Sequence, residues 1–202
     1  MAIHPSSSRG RGTTTWWIGI LFAVGSLCFV LGPAPGFVDL VGPSADGTIF
    51  FVGSIFFTSA AYLQWRHSNG GDRIATLIQL VGTVFFNVNT FRAMHDAYDT
   101  IDVNRLIWFP EAIGSACFLI SGVLAYLTLR GERRRNPMEW RIAVINLMGC
   151  ILFGVSAVAG FVVPETGSML DLAAANWTTS IGALCFLVGA IMVLPRFAQR
   201  PH

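Results

Sequence analysis

The sequence predicts an all-α integral membrane protein, a six-helix bundle built from three tandem two-helix hairpin repeats. Three observations carry that prediction. Six apolar stretches follow one another along 202 residues. Near its middle each holds a Gly followed four residues later by a Phe: Gly25–Phe29, Gly53–Phe57, Gly82–Phe86, Gly114–Phe118, Gly149–Phe153 and Gly182–Phe186. Finally, arginines gather at every second break between stretches, as a chain that crosses a bilayer back and forth requires.

Composition places the chain in lipid. Hydrophobic residues make up 53% and charged residues only 12%. A water-soluble domain carries about 25% charged residues. Mean hydropathy is +0.61. A spanning helix needs roughly 20 apolar residues to cross about 30 Å of hydrocarbon. The stretches are apolar all round, which excludes barrel strands, whose apolar and polar residues alternate.

The first stretch, Trp16–Leu31, is short unless Thr13 to Thr15 extend it. Its own copy of the motif marks it as a span rather than a cleaved signal segment. The break GPAPG at 32–36 follows. The later stretches are Gly47–Trp65, Ile74–Met94, Leu106–Leu129, Trp140–Val163 and Trp177–Pro195, with the charged break RGERRRNP at 130–137. Gly, Pro and charge end each run. A tail, 1–15, therefore precedes hairpin repeats at 16–66, 73–130 and 140–196 in one membrane domain.

Orientation follows from the arginines. With both termini cytoplasmic, Arg9, Arg11, Arg66, Arg73, Arg130, Arg133, Arg134, Arg135, Arg141, Arg196 and Arg200 lie inside, and only Arg92 and Arg105 lie toward the outside. Basic residues beside short loops stay cytoplasmic. The cluster around Arg133 is a topology determinant that meets anionic lipid, and no nucleic-acid partner is expected.

The motif continues one step: four residues past each Phe stand Pro33, Ala61, Thr90, Gly122, Ala157 and Ala190. Residues spaced by four share a helix face. Small residues on it let helices approach closely, and packing drives helix association in lipid. The motif is thus expected to be a packing seam. Cys28, Cys117 and Cys185 each precede a motif Phe, and with Cys150 are expected as small core residues. No C-x-x-C spacing occurs, so neither metal nor disulfide is expected.

The phrases GSIFF at 53–57 and GSACF at 114–118, with GSLCF at 25–29 and GTVFF at 82–86, resemble the YrhK-type membrane domain, a two-helix hairpin of bacterial membrane proteins. The last hairpin departs, since GCILF at 149–153 and GALCF at 182–186 lack Ser or Thr after Gly. The resemblance implies a hairpin fold in a bacterial plasma membrane. It implies no activity and no catalytic residues.

Polar groups inside a membrane are scarce and mark candidate sites. They converge in FFNVNTFRAMHDAYD, 85–99, at the outer end of the third stretch. Asn89, Arg92 and Asp96 are spaced three and four apart and share a helix face. Asn87 and His95 lie beside them, and Glu111 follows Pro110 early in the fourth stretch. Arg92 suits an anion, and His95 with Asp96 suits proton relay. The competing reading pairs Arg92 with Asp96 at the headgroups and leaves the Asn residues as interhelical hydrogen-bond donors. Asn146 in the fifth stretch is expected to bond between helices.

No phosphate loop, H-E-x-x-H helix or G-x-S-x-G elbow is present, the chain has no Lys, and no cofactor is expected. The expected role is a structural or interaction component of the membrane, not an enzyme. The alternative is a small-solute or ion transporter or channel using the third-stretch cluster. The bilayer is the expected partner, with a membrane protein or a second copy of the chain as further candidates.

Overall fold

The structure is a computed structural model, and it describes residues 8–70, 72–95 and 100–194. Helix α1 spans Ser8–Leu31, so the Thr residues do extend the first stretch. Gly32 and Pro33 end it. The short helix α2, Phe37–Val41, lies between Gly36 and Gly42, whose φ angles of 79° and 86° only glycine adopts without strain. Pro43 then opens α3, Pro43–His67, in the first turn, where a missing N–H costs nothing. Helix α4 runs Asp72–His95.

The next span is continuous but irregular. Helix α5, Thr100–Val103, leads through a π-helical turn, Asn104–Trp108, into α6, Phe109–Leu129. Backbone angles at Val103 and Trp108 stay helical, so residues 100–129 form one helix with a bulge. Pro110 is its cause. It has no N–H for the carbonyl of Leu106 four residues back, and its ring crowds that carbonyl.

Helix α7, Pro137–Ala159, stops at Gly160, earlier than the hydropathy of 140–163 suggests. The chain turns there into an antiparallel pair, β1 Val162–Val163 and β2 Ser168–Met169, closed by Gly167 at φ 67°. Helix α8, Leu172–Val193, begins five residues before Trp177, because the Asp171 side chain accepts from Ala174 N at 2.9 Å and caps it.

Among the described residues six helices are long and apolar enough to cross a membrane: within α1, α3, α4, 104–129, α7 and α8. The chain is accordingly described as a multi-pass membrane protein. Each long helix packs on the next, and α8 returns to α1, closing a ring in the order α1, α3, α4, α6, α7, α8. Apolar residues such as Val158, Ile181 and Ile120 point outward from it, as lipid-facing positions do.

The six motif phenylalanines meet inside the ring. Phe29, Phe86 and Phe153 form one triangle with ring centroids 6.5, 6.1 and 5.7 Å apart. Phe57, Phe118 and Phe186 form a second, at 6.4, 6.1 and 5.8 Å. Phe29–Phe57, Phe86–Phe118 and Phe153–Phe186 link the layers at 5.5, 5.1 and 5.6 Å. All six are at most 6% exposed.

Each motif Gly makes room for its partner helix. A methyl on Gly53 would stand 2.6 Å from Cys28 Cβ, and one on Gly25 would stand 2.9 Å from the Gly53 carbonyl. Gly82 faces Gly114 across α4 and α6, and Gly149 faces Gly182 across α7 and α8, in the same way. Asn146 lies against Gly189 between α7 and α8.

Candidate functional site

Beyond the phenylalanine layers, in the half of the bundle away from the Arg130–Arg141 break, the ring encloses a half-open cavity of about 240 Å³. Its floor is the triangle Phe29, Phe86 and Phe153, and its polar lining is Asn89, Thr90, Glu111, Ser156, Asn176 and Thr179. Toward the Arg-rich end the interior narrows to a void of about 10 Å³ among the phenylalanines. That is too small to hold a water molecule comfortably. The phenylalanine layers close the interior at that level.

Asn89 and Glu111 form the polar corner. Asn89 is buried, and its Nδ2 donates to the Ile107 carbonyl at 3.0 Å and to Glu111 Oε2 at 3.4 Å. The Glu111 carboxylate reaches across to Gly160 at the end of α7, whose missing side chain leaves it space. Glu111 is half-buried and lines the cavity. On the facing side Ser156 Oγ and Thr179 Oγ1 share a hydrogen bond at 2.6 Å, and Ser156 also donates to the Ala175 carbonyl at 3.0 Å. The third wall is aromatic, where Phe50 fills the space over Gly32.

The residues of the third-stretch cluster separate. Asn87 lies on the far side of α4 from Asn89, as residues two apart on a helix do. With its amide set by its neighbours, Asn87 Nδ2 donates to Ser54 O and Thr83 O at 3.0 and 3.2 Å, and its Oδ1 accepts from Thr58 at 2.9 Å. It ties α3 to α4 and does not line the cavity. Arg92 does not line it either. Its Nη1 donates to the Leu106 carbonyl at 3.1 Å, the carbonyl that Pro110 leaves without its usual N–H. Arg92 is thus part of the frame that holds the π turn. His95 ends α4 with its side chain outside the described residues, and Asp96 lies outside them altogether.

The π turn is latched on its other side too. Asn104 Nδ2 donates to the Val162 carbonyl at 2.6 Å, and Val162 N donates back to Asn104 Oδ1 at 3.0 Å. Trp108 Nε1 donates to the Ala157 carbonyl at 2.7 Å, near the end of α7, and its ring meets Phe161 at 5.0 Å. Arg92, Asn104 and Trp108 thereby fix the segment that carries Ile107 and Glu111 over the cavity.

Sequence reasoning missed Ser156, Thr179 and Asn176, although a signal was present. Phe50, Glu111 and Thr179 each stand three residues before a motif Gly, and Gly32, Asn89 and Ser156 each stand three after a motif Phe. The same two positions therefore meet three times around the cavity with three chemistries: aromatic on glycine, amide on acid, hydroxyl on hydroxyl. No protein family, curated protein or solved structure compared with the chain matches it.

Proposed function

We propose that this is a plasma-membrane protein that binds a small organic solute from the outer side of the bilayer. The observation that carries the reading is the half-open cavity of about 240 Å³, with Asn89 and Glu111 on one wall and a phenylalanine floor. Ligand sites are concave, mostly apolar and carry a few convergent polar groups. A bundle serving only as a packing element has no need of a partly buried carboxylate facing empty volume, since such a group is costly in an apolar interior.

Two further features support the orientation and the plan of the molecule. By sequence, eleven of thirteen arginines belong to the cytoplasmic segments if both termini are cytoplasmic, which puts the cavity mouth outside and the phenylalanine layers toward the cytoplasm. The two phenylalanine triangles and the three facing Gly pairs fit three copies of one hairpin about a pseudo-threefold axis along the membrane normal. The resemblance of the motif phrases to the YrhK-type hairpin fits that plan. In this reading the repeat builds the scaffold and the unequal polar pairs build the site.

The test is solute-dependent stabilisation in lipid nanodiscs. A panel of small organic solutes is screened by thermal unfolding of the native chain and of Ser156→Phe, which fills the cavity. The reading expects some solute to raise the melting temperature of the native chain alone. Identical responses of the two proteins to every solute would refute it.

A further inference from the structure

We infer that the cavity selects a small organic ammonium ion, with Glu111 as its counter-charge and the phenylalanine walls around its apolar body. This rests on the solute-binding reading and names the chemistry of that same site.

Glu111 is the one ionisable side chain lining the cavity among the described residues. Its hydrogen-bonding capacity is not used up by the fold. A carboxylate in a first helical turn stabilises the helix N-terminus, but residues 100–129 are continuously helical, so Glu111 stands well inside a helix. Its described donor is the Asn89 amide at a long 3.4 Å. A carboxylate offers about four lone-pair sites. Arg92, on the same helix as Asn89, is committed through Nη1 to the Leu106 carbonyl and does not line the cavity. The carboxylate therefore retains acceptor capacity directed at the empty volume.

The remaining walls select the ligand's body. Phe29, Phe50, Phe86 and Phe153 line the cavity. Aromatic rings attract ammonium groups and pack well against alkyl or aryl carbon. Ser156 donates to the Ala175 carbonyl and so accepts from Thr179, which leaves an uncharged surface with acceptor lone pairs and both O–H donors in use. A hard metal cation is a poor match, since it takes six or more oxygen ligands. Among the described residues no group of three His, Cys, Asp or Glu converges. An anion would be repelled by an ionised Glu111, and a neutral solute gives the buried carboxylate no counter-charge, whereas an ammonium ion favours its ionised form.

Size narrows the class. A cavity of about 150 Å³ takes up benzene, and 240 Å³ adds room for a short charged arm. An aryl- or alkylammonium of that size fits.

The experiment uses three probes of one shape: benzylammonium, benzyl alcohol and benzoate. Each is dialysed to equilibrium near neutral pH against the full chain in zwitterionic nanodiscs, with uptake by empty nanodiscs subtracted. Benzylammonium is expected to bind about tenfold tighter than benzyl alcohol or better, because hydrogen bonds to charged groups are worth that much. Glu111→Gln should remove the preference for benzylammonium over benzyl alcohol, because the amide carries no charge to pair with the ammonium. Equal binding of ammonium and alcohol, tighter binding of benzoate, or a preference that survives Glu111→Gln would each overturn the inference and leave the solute-binding reading standing. Binding of none of the three would overturn the inference, while the solute panel on the native chain and Ser156→Phe decides the solute-binding reading separately. If Glu111→Gln fails to fold, the ranking of the probes on the native chain decides alone.

Discussion

Adding one methyl group at Gly53 should destabilise the bundle, while the same change at Gly154 should not. Both residues lie within transmembrane helices, so both substitutions to Ala gain the same helix propensity, about 1 kcal/mol. The surroundings differ. A methyl on Gly53 would stand 2.6 Å from Cys28 Cβ and 3.2 Å from the Phe29 ring. Carbon atoms pack best at about 3.5–4.0 Å, so about 1 Å must be found. Cys28 Cβ is fixed to its backbone, and no rotamer change relieves the contact, so α1 and α3 must separate. Such overpacking costs about 1–3 kcal/mol. Gly154 has nothing within 4 Å of the same methyl. Because propensity cancels between the two variants, their difference reads the steric cost directly. Reversible unfolding in mixed micelles, titrated with SDS and followed by circular dichroism, should place Gly53→Ala about 1–3 kcal/mol below Gly154→Ala. Gly182→Ala should fall between them, its nearest contact being 3.1 Å. Equal unfolding of Gly53→Ala and Gly154→Ala would refute the claim that the motif glycines set the helix spacing.

Phe118 is 2% exposed and meets four other motif rings. Its replacement by Ala should cost about 2 kcal/mol or more, at about 0.5–1.5 kcal/mol per aromatic pair. Phe109→Ala, at a position 56% exposed, should cost far less; similar losses in the same SDS titration would show that the phenylalanine layers are not the core. Arg92→Gln should lower stability by about 1–3 kcal/mol through the Leu106 carbonyl, while solute binding in nanodiscs weakens far less than in Ser156→Phe. Loss of binding with stability intact would move Arg92 into the site. Single cysteines at Ser68 and Gly167 should react with an impermeant reagent from opposite sides of the membrane, Ser68→Cys only from the cytoplasm and Gly167→Cys only from outside. The reverse pattern would overturn the orientation.

Much of the fold could be read from the chain because lipid makes the demand simple. A span must be apolar and long, so hydropathy located all six helices, with ends shifted only where local chemistry intervened. Gly160 and the 162–169 hairpin cut α7 short, and the Asp171 cap started α8 early. The closure of the ring from α8 onto α1 was not legible, because pairing between distant helices leaves no period in the sequence. The site was legible in part. Asn89 and Glu111 drew notice as polar groups in an apolar setting. Asn87 was grouped with them by proximity along the chain, although two residues of helix separate their faces. Arg92 reads as a ligand group because it stands among amides and acids; its backbone-carbonyl partner is invisible in the sequence, since side-chain patterns do not display a carbonyl that Pro110 has freed. Ser156 and Thr179 were overlooked because hydroxyls are common in membrane helices. Their significance lies in standing where Asn89 and Glu111 stand, one hairpin later.

The most direct test of the account is whether the cavity opens outward and the phenylalanines close it inward. A Thr179→Cys protein whose four native cysteines, Cys28, Cys117, Cys150 and Cys185, have been replaced carries one reporter in the cavity wall. A charged, membrane-impermeant thiosulfonate is applied to intact cells and to inside-out vesicles. The account predicts rapid modification in cells and protection in the vesicles. Modification only from the cytoplasmic side, or from neither side, would contradict it.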